Sequence, residues 1–231
     1  MKKVAIVAAL LALGFGPVIA LLALRHAPDH RSAASGALGP PPGPYRGSEP
    51  PGPIEVPAFA LRSYRGPLVR MRALRGRVVL VTFIDTHCTT KCPIIAGSLG
   101  DGVRLLSRRE RSHVSALALS VDPRHDTPAS IRTFLRQRRA LGELDFLKGP
   151  LSQMRPLWRA FHIVAAAQTG SADIHSADVR VFDPSGIWVS TLHVGVDLTA
   201  KNLAHDVRVA LRSSGSEAGA LSLPATATRG E

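Results

Sequence analysis

A mixed α/β fold, with a central sheet and helices on both of its faces, is the class that the sequence predicts, and three observations predict it. Arg77 to Phe83 is a nearly continuous apolar run, the mark of a strand buried on both sides. A second such run, Val114 to Val121, follows a stretch in which Ile95, Leu99, Val103 and Leu106 recur at helical spacing. Further on, Asp178–Phe182 and Ile187–Val194 flank Asp183-Pro-Ser-Gly186 as a β-hairpin, with helix-period segments before and after it. The order strand, helix, strand, helix and then helix, hairpin, helix describes a sheet covered on both faces.

Each element has its own local reason. Phe59 to Leu61 and Leu68 to Met71 read as an entry hairpin turning at Gly66-Pro67. Pro93 suits the first turn of a helix, where its missing N–H needs no partner, and the apolar period carries that helix to about Arg109. Asp126-Thr127-Pro128 is a helix start, with Ile131, Phe134 and Leu135 as the buried face of a helix ending near Ala140. Leu144 to Leu147 is a short strand. Leu151, Met154, Leu157, Trp158 and Phe161 mark a core helix whose regular part begins late because of Pro156. Thr199 caps a last helix that buries Leu203, Val207 and Leu211.

Outside this domain the composition changes. Two lysines precede an uncharged, mostly apolar run from Val4 to Leu24, long enough to span a bilayer, so residues 1–25 are expected to be an N-terminal membrane anchor or signal segment. The lysines favour a cytoplasmic N-terminus and a single-pass protein whose C-terminal domain is extracytoplasmic, although Arg25 and Arg31 weaken the asymmetry. Residues 26–53 are rich in Pro, Gly and Ser and read as an extended linker, in which His26 and His30 are solvated. The domain is expected over residues 54–213, and residues 214–231 as a disordered tail. A formal charge of +12 fits several anionic partners, but aromatics are only 5% and the arginines are scattered, which argues against nucleic acid.

Cys88 and Cys92 are the only cysteines. They follow the first core strand, and one helical turn from Cys88 to Cys92 brings both sulfurs to one face. That is too few for a disulfide scaffold and suits a metal or redox pair, in a thioredoxin-like plan. A thiolate pair is soft and suits Cu(I) or Zn(II); one imidazole completes a three-ligand copper site. Among the histidines, His113 and His205 read as solvated or locally bonded, and His125 and His193 have no special signal. His162 closes the Trp158 helix. His175 stands out because Ser171 to Ser176 is a polar loop just before the hairpin, where thioredoxin-like folds face the cysteines. That loop usually carries a cis-proline, yet no proline occurs between Pro156 and Pro184.

Cys88-x-x-x-Cys92-Pro93 after a buried strand, Ser120-Val-Asp-Pro123 followed by Asp126-Thr-Pro128, and His175-Ser176 before Phe182-Asp-Pro-Ser-Gly186 together resemble the Sco/SenC family. The resemblance covers Ile54 to Leu211. It implies a thioredoxin-fold, membrane-tethered copper protein that serves assembly of the binuclear copper site of cytochrome c oxidase. It also implies Cys88, Cys92 and His175 as the copper ligands, and places Asp122 and Asp126 at the family's acidic positions, where the plain alternative is a turn and a helix cap. The family's usual Cys-Pro-Asp-x-Cys-Pro is replaced here by Cys88-Thr-Thr-Lys-Cys92-Pro93, and Ile84-Asp85 stands for Gly-Tyr. Lys91 and a helix N-terminus should favour thiolate. His87 is either a fourth ligand or a polar neighbour.

Two functions are therefore expected. One is a metallochaperone that binds one copper ion, Cu(I) or Cu(II), and serves the copper-site subunit of cytochrome c oxidase or another extracytoplasmic copper or thiol protein. The other is an extracytoplasmic thiol-disulfide oxidoreductase, with Cys88 as nucleophile and Cys92 resolving the mixed disulfide. A peroxidase lacks a motif, and a structural zinc site lacks a fourth ligand.

Overall fold

The computed structural model describes residues 43–220. The entry hairpin is β1 (Ala60–Ser63) and β2 (Leu68–Arg70). The core strands are β3 (Val78–Ile84), β4 (Val114–Ser120) and β5 (Asp145–Lys148), and the second hairpin is β6 (Asp178–Phe182) with β7 (Trp188–His193). They form one seven-stranded sheet in the order β2-β1-β5-β4-β3-β6-β7. β3 is parallel to β4, and β4 to β5, whereas β6 and β7 run antiparallel, so the sheet is mixed as expected.

Every residue of β3 is buried, and its alternation divides them between two cores. Val78, Leu80 and Ile84 join the core built with α1 (Lys91–Arg104), α3 (Pro128–Gln137) and α6 (Ala200–Ala220). Val79, Val81 and Phe83 join the core under α4 (Leu151–Ala160). Burying each Leu, Ile or Phe contributes about 1.5–3 kcal/mol, so β3 is the strand both layers depend on. Small residues on β4, Ala116 and Ala118, face the first core; Leu117 and Leu119 face the second.

Several boundaries differ from expectation. The helix expected to reach Arg109 stops at Arg104, because Ser107 starts a separate short helix, α2 (Arg108–Arg111). Ser107 Oγ accepts the Glu110 N–H at 3.2 Å and the Glu110 carboxylate accepts the Ser107 N–H at 2.6 Å, a reciprocal cap that outweighs continuation. α3 ends at Gln137, before Ala140. α4 begins at Leu151, ahead of Pro156, which is exposed inside the helix and costs it one backbone bond. Thr199 does cap α6, accepting the Asn202 N–H at 3.1 Å, and α6 runs to Ala220, past residue 213 where the domain was expected to end.

The expected linker also changes. Arg46 and Gly47 donate their N–H groups to the buried carboxylate of Asp206, at 2.7 and 3.1 Å, and Ser48 pairs with Thr191. This chain is fixed to the domain before residue 54. Gly47 is required there: a Cβ would lie 2.4 Å from Ser190 Oγ and from Thr191 O. Asp206 also accepts the Ser190 hydroxyl at 2.6 Å. Asp206→Ala orphans three donors and is expected to destabilise the domain by about 3 kcal/mol. Urea unfolding measures this, and limited proteolysis should show residues 43–48 released first. The apolar run Val4 to Leu24 lies outside the described residues; among the described residues no helix is long and apolar enough to cross a membrane.

Candidate metal centre

The C-terminal end of β3 delivers the chain into a loop that is held from behind. Asp126 is buried and accepts three bonds: from the Thr86 N–H at 2.9 Å, the Thr86 hydroxyl at 2.7 Å and the Ser120 hydroxyl at 2.5 Å. Burial nevertheless pushes its carboxyl up to about 6, the hydrogen bonds opposing this. Asp126 thus pins the loop before Cys88, and the cap of α3 belongs to Thr127 instead, which accepts the Ser130 N–H at 3.1 Å. Asp85 is also buried, and burial raises its carboxyl.

Cys88 and Cys92 are both free thiols and both buried. The Cys92 N–H, in the first turn of α1, points to Cys88 Sγ at 3.5 Å. The sulfur occupies the place of a cap, since Thr90, the N-cap residue, does not cap with its own side chain. Hydrogen bonding from the Cys92 thiol is the main reason that Cys88 is lowered to about 2; burial opposes it, and His175 with the Cys92 and Thr90 N–H groups adds to it. The same bond, with burial, pushes the Cys92 thiol up. The pair is therefore unequal, with Cys88 the more acidic sulfur and Cys92 the donor to it. Lys91, expected to favour the thiolate, is exposed, and the neighbours just named do that work. Cys88 lines a cleft of about 440 Å³ that also touches α3, which gives it a path to solvent.

His175 comes to the same place. Its Nε2 lies 3.2 Å from Cys92 Sγ, and one donor atom from each of Cys88, Cys92 and His175 lies within 4.8 Å of the others. Its Nδ1 is 2.7 Å from the Ser176 carbonyl. A carbonyl only accepts, so Nδ1 carries a proton and Nε2 is the ring nitrogen that faces the sulfurs. Burial pushes His175 down, but hydrogen bonds to Cys88 and to the Ser176 carbonyl outweigh it and raise it overall. The structure thus brings together the three residues expected to act together. Two thiols and one imidazole nitrogen form a donor set that fits copper.

Asp173 links the two loops and was not foreseen. Its carboxylate accepts the Thr89 N–H at 3.0 Å, the Thr90 hydroxyl at 3.0 Å and the Thr89 hydroxyl at 3.4 Å. Thr89 and Thr90, the residues that depart from the family pattern, are therefore the clasp between the cysteine loop and the histidine loop. The signal in the sequence was a carboxylate two residues before His175. Asp173→Ala is expected to weaken copper binding about 10–100-fold, as loss of an outer support does. Competition titration against a copper chelator measures it, and Asp173→Asn should retain part of the affinity.

The other histidines stay apart from the sulfurs. His87 lies against Asp85, with Nδ1 3.3 Å from the carboxylate, and is not grouped with the cysteines. His125 bonds Asp122 at 2.5 Å, His193 lies beside Asp197 and His205 beside Asp206. His162 follows α4 with a positive φ of 50°. His113 is exposed.

Known proteins share this arrangement of chain and fold. The SCO1/SenC family model matches residues 48–212. The SCO1 protein homolog of Bacillus subtilis is 34% identical over 80 residues, 35% of this chain and 41% of that protein, so the match spans less than half of the relative. Among solved structures, Bradyrhizobium japonicum ScoI with copper bound is similar at a TM-score of 0.59 and 25% identity, over 68% of this chain and 100% of that one. BsSco, described with a disulfide switch and as a member of the Sco family of cytochrome c oxidase assembly proteins, is similar at a TM-score of 0.58 and 26% identity, over 71% and 98%. The thioredoxin-like α/β plan, the paired cysteines after β3 and a family model that covers nearly the whole described domain agree, and the chain belongs to the SCO1/SenC family.

Proposed function

We propose that this protein is a copper metallochaperone that binds one copper ion, Cu(I) or Cu(II), through Cys88, Cys92 and His175. In this reading it serves the copper-site subunit of cytochrome c oxidase. The observation that carries this is the orientation of His175, whose proton is held on Nδ1 by the Ser176 carbonyl while Nε2 faces Cys92. A relative of the same fold has copper bound, and another is described as an oxidase assembly protein. Copper supplies a soft Lewis acid that prefers thiolate and imidazole donors. The chain's part is to present Cys88 already as thiolate, to release the Cys92 proton on binding, and to keep the site open through the cleft at Cys88. Membrane attachment through Val4 to Leu24 and an extracytoplasmic site belong to the same proposal. The test is transfer: copper-loaded protein mixed with the metal-free oxidase subunit should lose copper to it, and a protein that keeps its copper would refute delivery.

A second reading has its own support. Cys88 as thiolate beside a protonated Cys92 is also the arrangement of an attacking and a resolving thiol, and BsSco is described with a disulfide switch. Disulfide exchange with the oxidase subunit that survives His175→Ala would favour thiol chemistry over delivery.

A further inference from the structure

The cleft of about 440 Å³ that reaches Cys88 is lined on its other side by Ala129, Thr133 and Gln137 of α3. Residues four apart form one row along a helix, so these three run the length of α3. The Thr86 hydroxyl lies 3.1 Å from Ser130 Oγ, so the row starts at the cysteine loop and leads away from it. Arg138 lines the cleft at the far end. From Ser130 to Arg138 the helical rise is about 12 Å, the length of about four residues of extended chain.

Charge is unevenly spread along this cleft. No Asp or Glu occurs between Thr127 and Leu141. Arg132 and Arg136, each the residue before a member of the row, are exposed beside it. Among the described residues neither they nor Arg138 make an ion pair, whereas Arg139 is paired with Asp101 at 3.0 Å. At the cysteine end the carboxylates are already engaged: Asp126 is buried against Thr86 and Ser120, and Asp173 holds Thr89 and Thr90. Positive charge therefore accumulates away from Cys88. The row between the two ends is neutral, and the Thr133 hydroxyl and Gln137 amide can bond a main chain laid along it.

We infer that this cleft docks an extended, acidic segment of the partner protein, with the segment's cysteine against Cys88 and its carboxylates about four residues away, against Arg138 and the rim of Arg132 and Arg136. The inference rests on the reading of Cys88 as the group that exchanges copper or a disulfide with a partner thiol, and it adds how that partner is recognised. The arginines draw the segment in and set its direction, and main-chain bonds along the row hold it.

The test uses the full chain carrying Cys92→Ser, in which Cys88 is the remaining thiol, and two short synthetic peptides whose single cysteine is blocked as a disulfide with thionitrobenzoate. One peptide carries glutamates to one side of its cysteine, and the other carries lysines at the same places. Cys88 Sγ attacks the peptide sulfur, the disulfide between protein and peptide forms, and thionitrobenzoate leaves with the electron pair of the broken S–S bond, so its colour reports the rate. At low salt the acidic peptide should react about tenfold faster than the basic one, and added salt should shrink the difference. Arg132→Glu with Arg136→Glu should erase it. Thr133→Trp, which fills the row, should slow the acidic peptide while leaving hydroxyethyl disulfide, which needs no groove, to react as before. Circular dichroism checks that each variant is folded. Copper titration of the same substitutions with Cys92 in place should match wild type, so that loss of docking and loss of the metal site are read separately. Equal rates for the two peptides, or a preference that survives the double charge reversal, would overturn the docking cleft and leave the copper reading standing.

Discussion

Cys88→Ser and Cys92→Ser are each expected to lower copper affinity by more than about a hundredfold, the size of effect that exceeds loss of an outer support. A serine hydroxyl is a hard donor that stays protonated at neutral pH, so it replaces neither the softness nor the charge of a thiolate. The two variants should differ in detail. Cys88→Ser removes the thiolate that the Cys92 N–H and thiol stabilise, and Cys92 is left as a buried thiol without it. Cys92→Ser keeps a hydroxyl donor to Cys88, so Cys88 should remain acidic. Thiol alkylation across pH reads this: in Cys92→Ser the remaining thiol should react at lower pH than in Cys88→Ser. Equal copper affinity in wild type and Cys88→Ser would show that the sulfurs are not ligands.

Arg180→Leu is expected to destabilise the domain by about 3–5 kcal/mol, the cost of leaving a buried partner charge alone. Arg180 and Asp178 are both about nine-tenths buried, with Nε 2.7 Å from Oδ2. The guanidinium also donates to the Phe161 carbonyl at 2.7 Å and lies over Trp188, Phe83 and Phe161, at 4.7, 5.3 and 5.9 Å from their ring centroids. It joins β6 to the end of α4 and to β3. For a domain of this size the loss corresponds to roughly 10 °C in melting temperature. Replacing Asp178 by Leu as well should recover part of the loss, because the uncompensated charge goes with it. Calorimetry of the single and double variants decides; a single variant within 1 °C of wild type would contradict the burial argument.

Arg180 also shows where sequence reading runs out. Asp178-Val-Arg-Val alternates like a strand with one wet face, and the alternation is real: Val179 and Val181 enter the first core. The other face is covered by the end of α4, which no local pattern announces. β3, by contrast, was legible because a strand buried on both faces has no polar alternation to hide. The cysteines were legible by rarity and by their place after β3. His175 depended on resemblance, since a loop histidine carries no local mark of its partners. Asp173 and Asp206 were missed for a related reason: their hydrogen bonds span 84 and 160 residues of chain, and each looks like an ordinary surface carboxylate in sequence. Short-range caps misled in the other direction. The apolar period continued through Leu106, but Ser107 and Glu110 provided a new start and ended the helix early.

The central claim is that His175 completes a copper site with Cys88 and Cys92, and absorption spectroscopy of the copper-loaded protein tests it most directly. Wild type should bind one equivalent and show thiolate-to-Cu(II) charge transfer. His175→Ala should shift that band and weaken binding, while Cys88→Ser should abolish it. An unchanged band and unchanged affinity in His175→Ala would contradict the account.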